Sequence, residues 1–304
     1  MWKRTRRVRG RLAMLASGSL ACLALTLGTA RSVKAQEIEP NEFVSAPAGT
    51  NLLLGYYQYG HDTAYSIKNG PTFKNSGVEV NIGVLRYVHF LNIGSHPAGF
   101  QIIQPFGSES GANVGGNRVG SAFGAVNTTL SAFYWWIADT ANKTYLNTTL
   151  FLYPPDGSYD KTSPINLGDN RWSGAVQVGF TKGIGPHFSF DSAVDVTIYG
   201  DNNQAYPGFL RESENPVVRG QLWLNWAFSR AFTTSLGWEG LFGGRQSLDG
   251  TFTGAEAEEQ RIRAAASLFL SPTFQTVLEL NHDVERTGGF KQDFGATIRL
   301  LKVF

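Results

Sequence analysis

The chain is poor in cysteine, methionine and long apolar stretches, and two of these shortages remove whole classes of protein. Cys22 is the only cysteine, so no disulfide framework and no thiolate metal site can form after it. Beyond Leu27 no apolar run approaches the roughly 20 residues that a membrane-spanning helix needs. Acidic residues are missing from the first 36 positions, whereas Met1 to Gly10 alone carries five basic ones. An apolar stretch from Leu12 to about Leu27 follows, and then Val33 and Ala35, small residues at the third and first positions before a cut. This arrangement predicts an export signal over residues 1–35, removed after Ala35. A retained anchor is disfavoured by Ser17, Gly18 and Ser19 inside the apolar run. Lipidation is disfavoured because Ser19 stands where a lipoprotein cut before Cys22 needs an aliphatic residue.

Cleavage leaves 269 residues with 18 basic and 24 acidic side chains, a net charge of −6 against +2 for the whole chain. The basic character belongs to the leader, which removes the compositional case for nucleic-acid binding. Catalytic patterns are missing as well. None of the five histidines (His61, His89, His96, His187 and His282) sits in a Gly-x-Ser-x-Gly context. The pairs Gly183-Ile-Gly185 and Gly115-Gly116 are turn glycines without the dinucleotide fingerprint. Asp201-Asn-Asn203 and Glu256 to Glu259 do not have the spacing of a calcium loop. The expectation is no enzyme, no metal and no cofactor.

What the sequence has is alternation. From His187 to Tyr199, Phe188, Phe190, Val194, Val196 and Ile198 fall on one parity, and His187, Ser189, Asp191, Asp195, Thr197 and Tyr199 on the other. A period of two is a β-strand with one apolar and one polar face. The pattern returns along the chain, separated by connections that are alternately long and short. Twelve strands result, which predicts an all-β, transmembrane antiparallel β-barrel with short periplasmic turns and longer extracellular loops. Residues 36–51 read as a periplasmic N-terminal segment and residues 52–304 as the barrel.

Some strands are clearer than others. Strand 2, about Val78 to Phe90, alternates until Arg86 breaks the apolar parity, which suggests a bulge or arrival at the interface. Strand 3 reads as only Phe100 to Phe106, weakened by Pro105. Strand 4 reads as Phe123 to Ile137, and Asp283 to Gly289 as a loop of medium length. Aromatic residues gather where short turns meet strands, as in Phe180 and Phe188, Phe228 and Phe232, and Phe269 and Phe274. Rings at headgroup level are a barrel feature. Phe304 ends a strand whose Phe294, Ala296, Ile298 and Leu300 share its parity, the kind of terminal strand that barrel-assembly machinery recognises. The bilayer and that machinery are therefore expected partners.

Glu79, Asp191, Asp195, Arg219, Glu239, Arg261, Arg263, Glu279 and Arg299 fall on the face expected to line the lumen, as lining or gating candidates. Glu239 and Arg261 lie nearly symmetrically about one long loop, so the geometry permits a cross-strand pair near the extracellular mouth. Water in the lumen would screen it.

Two loop motifs carry a resemblance. The first is Tyr153-Pro-Pro-Asp-Gly-Ser-Tyr-Asp160, matched at Pro155, Gly157, Tyr159 and Asp160. The second is Asn166-Leu-Gly-Asp-Asn-Arg-Trp172, matched at Asn166, Leu167, Gly168, Asn170, Arg171 and Trp172. The chain resembles the outer-membrane barrels grouped as "MetA-pathway of phenol degradation" proteins. That resemblance implies passive passage of small hydrophobic or aromatic compounds across the bacterial outer membrane, with a small organic solute as partner, and supplies no catalytic residue. Read from the residues alone, the motifs have turn chemistry, and Arg171 is placed to pair with Asp160 or Asp169 and fold the loop inward. A structural or adhesive barrel is the alternative reading, and an outer-membrane hydrolase the least favoured one. Oligomeric state is not encoded in any of these patterns.

Overall fold

The computed structural model describes residues 37–304; the expected export signal, its expected cut and Cys22 lie outside the described residues. Twelve strands form one closed antiparallel barrel: β1 (Asn51–Ser66), β2 (Gly77–Ile93), β3 (His96–Val114), β4 (Thr129–Asp139), β5 (Thr144–Tyr153), β6 (Ser173–Ile184), β7 (Phe188–Tyr199), β8 (Val217–Ala227), β9 (Phe232–Gly243), β10 (Ala257–Ser271), β11 (Phe274–Thr287) and β12 (Gly289–Val303). Each pairs with the next, and β12 returns to β1 from Leu52↔Val303 to Ser66↔Gly289. Closure satisfies the backbone groups that hydrocarbon cannot. No helix among the described residues is long and apolar enough to cross a membrane.

The connections are sided. Residues 94–95, 140–143, 185–187, 228–231 and 272–273 make short turns at one rim, and four of the loops at the other are long. Four short strands there, Asn202–Ala205, Leu210–Glu214, Gln246–Leu248 and Thr251–Phe252, form a second small sheet over the extracellular rim. The loop expected over Asp283–Gly289 is absent, because β11 and β12 run on to a tight turn at Gly288, which has φ of 68°.

In β7 the side chains alternate as the sequence indicates. Val194 is 56% exposed toward the hydrocarbon, whereas Asp191 and Asp195 are at 0% and 1% inside the wall. Leu222, Leu224, Ile262 and Leu268 also face outward. An apolar outer surface and a charged inner one is the inverse of a soluble protein, and only a lipid solvent makes it stable.

β3 is far longer than Phe100 to Phe106, and the reason lies at Pro105. The Pro105 carbonyl accepts from Val126 N at 3.0 Å, so its missing N–H also points to that side. There the ladder is interrupted by Val126 to Thr128. Gln104 substitutes for the lost donor: its Nε2 donates to the Val126 carbonyl at 3.1 Å, and Thr128 Oγ1 donates back to its Oε1 at 2.7 Å. Above the interruption Asn117–Ala125 resumes pairing with β3, from Phe106↔Ala125 to Val114↔Asn117. The single strand expected over Phe123 to Ile137 is thus two segments joined by this break.

The interior is also two-sided, and this corrects the reading of β2. Its apolar parity points inward: Val78, Ile82, Val84, Val88 and Phe90 are buried, and Glu79 lies on the outer face with its side chain 56% exposed, 3.9 Å from His61. Arg86 marks neither a bulge nor an interface, since the β1–β2 register runs through it unbroken. The cause is what fills this side of the barrel. Ile82 and Val84 pack on Ile103, Val126 and Leu167, and Val88 and Phe90 pack on Phe43, Phe133 and Trp135.

Candidate functional site, a plugged lumen

Residues 37–46, expected as a periplasmic segment, instead rise into the barrel and bond to strands all round it. Ile38 N donates to Gln221 Oε1 at 2.9 Å, and the Ile38 carbonyl accepts from Trp223 Nε1 at 3.0 Å on β8. Asn41 N donates to Asp191 on β7 at 2.8 Å. The Phe43 carbonyl accepts from Trp135 Nε1 on β4 at 2.7 Å. Its ring lies against Gly179 on β6 so closely that a Cβ there would sit 2.1 Å from Cζ. The peptide groups of Ile38 and Phe43 anchored this way are buried, so their bonds keep their strength in the interior.

The plug also supplies charge. Glu42 meets Arg86 at 2.5 Å, Glu39 meets Arg299 at 3.4 Å, and Glu37 meets Arg261 at 3.4 Å and Arg263 at 3.9 Å. Sequence reasoning missed the plug and Arg86. The available signal was the acidic Glu37-Ile-Glu-Pro-Asn-Glu42 run immediately before a barrel with arginines on its inward parity.

The structure places eight of the nine lumen candidates inside the wall, Glu79 being the exception. Asp191 accepts from Thr181 at 2.5 Å and Asn225 at 2.6 Å as well as from the plug. Asp195 accepts from Gln177 at 3.3 Å and stands opposite Arg219 in the β7–β8 register. Arg263 forms two parallel bonds to Glu279, at 2.7 and 2.9 Å, with its guanidinium over the Trp223 ring. Arg299 donates to Gln275 at 2.7 Å.

Glu239 and Arg261 face each other as the sequence indicates, but the pair is buried and long, at 3.9 Å. Arg261 is held more tightly by Asp283 at 2.7 Å and Glu259 at 2.9 Å. This is a dry network in a wall packed against the plug, so the screening expected of a wet lumen does not apply.

At the extracellular end, the loop 154–172 folds inward and buries Ile165 and Leu167. Arg171 is its anchor, and of the two partners the sequence suggested Asp169 contributes an attraction weaker than those from the small sheet. Arg171 pairs with Glu214 and, at 3.4 Å, with Glu212, both from the small sheet, and stacks over Tyr199. Burial works against the charge, but Glu214, Glu212 and Asp169 together hold the guanidinium even more firmly protonated than usual. Burial pushes the Glu212 carboxyl up to about 7 despite Arg171, and raises that of Glu214.

Asp160 instead binds the Thr162 hydroxyl and N–H, which lowers its carboxyl below the usual range. Tyr159 Oη donates to the Gln204 carbonyl, and Asn170 Nδ2 donates to Asn202, so both motifs dock on the small sheet. Asn166 bonds within the loop, to Asp160 and Ser163. Gly157 and Gly168 cross so closely that a Cβ on either would lie 2.6 or 2.5 Å from the other's backbone. Pro155 is exposed, and Trp172 faces outward, 56% exposed. The motif residues therefore build the extracellular cover, and none is brought to the plug.

Among the described residues, cavities between cover and periplasm include two that touch the plug. The larger, of about 410 Å³, surrounds the plug at the periplasmic end, with Leu54, Val88, Phe90, Phe133 and Trp135 on one wall and Asn147, Thr149 and Gln177 on another. The smaller, about 40 Å³, lies beyond the plug beside Tyr56, Val84 and Ile103. The described residues hold no group of three metal-ligating side chains.

The family described as "Putative MetA-pathway of phenol degradation" matches residues 58–300. No curated protein matches the sequence. An outer membrane channel from Pseudomonas putida F1 is similar in structure, with a TM-score of 0.83 and 25% identity over 88% of this chain and 100% of that one. The translocator domain of the autotransporter NalP from Neisseria meningitidis shares the fold, with a TM-score of 0.50 and 12% identity over 87% and 91% of the two chains. With a match across most of its length and a closed barrel of twelve strands, the chain belongs to the putative MetA-pathway of phenol degradation family of outer-membrane β-barrels.

Proposed function

We propose that this channel-like barrel passes small apolar and aromatic organic solutes passively into the periplasm when the plug withdraws. The carrying observation is the inward apolar stripe on β1 to β4: Ile82, Val84 and Ile103 above the plug, then Leu54, Val88, Phe90, Phe133 and Trp135 beside it. A polar solute gains nothing from such a wall, whereas an aromatic ring exchanges water for it at every step. The larger cavity has the volume of an ordinary small-molecule pocket. The similar channel from Pseudomonas putida supports the reading. Delivery follows export, cleavage after Ala35, and recognition of the exposed Phe304 by the assembly machinery.

The test is uptake of radiolabelled toluene by outer-membrane vesicles from a host lacking its general porins, with and without the protein. Uptake above control, lost when Val84 and Val88 are both changed to Asn, supports the proposal. Uptake equal to control contradicts it.

A further inference from the structure

The lumen wall contains more than an apolar path. Arg299 on β12, Tyr56 on β1, Arg86 on β2 and Gln101 on β3 occupy four adjacent strands; Gln101 and Arg299 are buried, Tyr56 and Arg86 half-buried. Arg86 Nε donates to Gln101 Oε1 at 2.7 Å and its Nη1 to Tyr56 Oη at 3.3 Å, which fixes the guanidinium plane. Other inward arginines have carboxylate partners in the wall, Arg261 in Asp283 and Arg263 in Glu279. Arg86 and Arg299 differ: among the described residues, their ion pairs are with Glu42 and Glu39 of the plug. When the plug leaves, both cations lose their partners and remain in a partly apolar lumen.

A buried cation without an anion is costly, so an empty site of this kind attracts an anion of the same chemistry as the one removed. The plug shows what that chemistry is, a carboxylate on a short apolar stem. Arg86 also borders both cavities, above and below the plug. Its guanidinium thus stands between the two, with Val84 and Ile103 on one side and Leu54 and Val88 on the other.

We infer that Arg86, ordered by Tyr56 and Gln101, and Arg299, held by Gln275, form a binding site for the carboxylate of aromatic acids, which the carboxylates of Glu42 and Glu39 occupy in the plugged state. The site gives the channel a preference for organic anions with an apolar body over neutral aromatics. This rests on the passage proposed above, and the solute and the plug act as competitors for one pair of cations.

Benzoate and toluene uptake in the same porin-deficient vesicles separates the two ideas, with assembly checked by heat-resistant mobility. Arg86→Gln with Arg299→Gln is expected to lower benzoate uptake about tenfold while toluene changes less than about twofold, the scale of one or two charge-assisted hydrogen bonds. Arg86→Lys with Arg299→Lys should restore part of the benzoate uptake. Unchanged benzoate uptake, or an equal fall for both solutes, overturns the site. Glu42→Gln supplies an independent reading because it leaves the wall intact. It should raise benzoate uptake more than toluene uptake, and an equal rise or none overturns the inference. Toluene uptake at the control level in the unaltered protein would count against passage of apolar solutes and leave the benzoate comparison standing.

Discussion

Gly179→Leu unseats the plug without touching any of its hydrogen-bonding or charged partners. The Phe43 ring lies where the new side chain must go, with Cζ 2.1 Å and Cε1 2.2 Å from the position a Cβ would take. Ordinary contacts between carbon atoms are about 3.5 to 4 Å, so the ring must move by more than an ångström. It is only 3% exposed, and swinging it into the adjoining cavity drags its carbonyl from Trp135. Losing most of the burial of one phenyl ring costs about 2 kcal/mol and losing the indole bond about 1 kcal/mol. A shift of about 3 kcal/mol raises the unplugged population about a hundredfold when that population is small. Planar-bilayer recordings of purified protein should then show a large gain in open time. Gly220→Ala is the control, because a Cβ there meets Trp238 no closer than 3.6 Å. Adding Phe43→Ala to Gly179→Leu should produce less than the sum of the two effects. An unchanged conductance in Gly179→Leu would refute the seating of Phe43 as the latch.

Other consequences are equally specific. Val194→Arg on the lipid face should cost about 2 to 4 kcal/mol of barrel stability in urea titrations from liposomes, and a lipid-phase probe should label a cysteine at Val194 and spare one at Asp191. Arg261→Gln removes the cation that Asp283 and Glu259 share in a buried wall and leaves Glu259 with Arg286 and Asp283 with the Gln292 N–H, so it should cost about 3 kcal/mol in the same assay, more than an exposed pair would. The extracellular cover should respond to acid in a definite sense. The Glu212 carboxyl, held at about 7, lies above its free value of 4.5. Its contribution to docking is therefore complete below 4.5 and is lost as pH rises through about 7. Protease resistance of the loop 154–172 should fall over that window, and Glu212→Gln should flatten the profile.

Much of the wall is legible in the sequence because period-two alternation survives wherever the two faces meet different solvents. β6, β7, β8 and β10 all show it, and their inward charges follow from parity. Alternation does not say which face is outside. In β2 the apolar parity reads as lipid-facing, yet those side chains meet the plug and Leu167, so parity alone assigns Glu79 to the wrong side. β3 reads as too short because Gly107 to Asn113 is a run of Gly, Ser, Glu, Ala and Asn with no apolar parity, held in the sheet by its pairing with β2 and Asn117–Ala125. The plug has no period, and its partners are scattered over β2, β4, β6, β7, β8, β10 and β12, so only the folded barrel brings them together. The loop motifs stand out by residue type. The strongest partners of Arg171 are hidden because Glu212 and Glu214 come from the next long loop but belong to the same cover.

The proposed function has residues 37–46 closing the path of the solute, and locking them in place tests this most directly. The chain beyond Ala35 has no cysteine, so thiols introduced by Phe43→Cys and Gly179→Cys would stand alone in the exported protein. A short reducible cross-linker joining them would hold the plug in place. Toluene uptake by vesicles carrying the linked protein should fall to the control level and return when the linker is cleaved. Linked protein that takes up toluene as fast as the cleaved form would contradict closure by the plug.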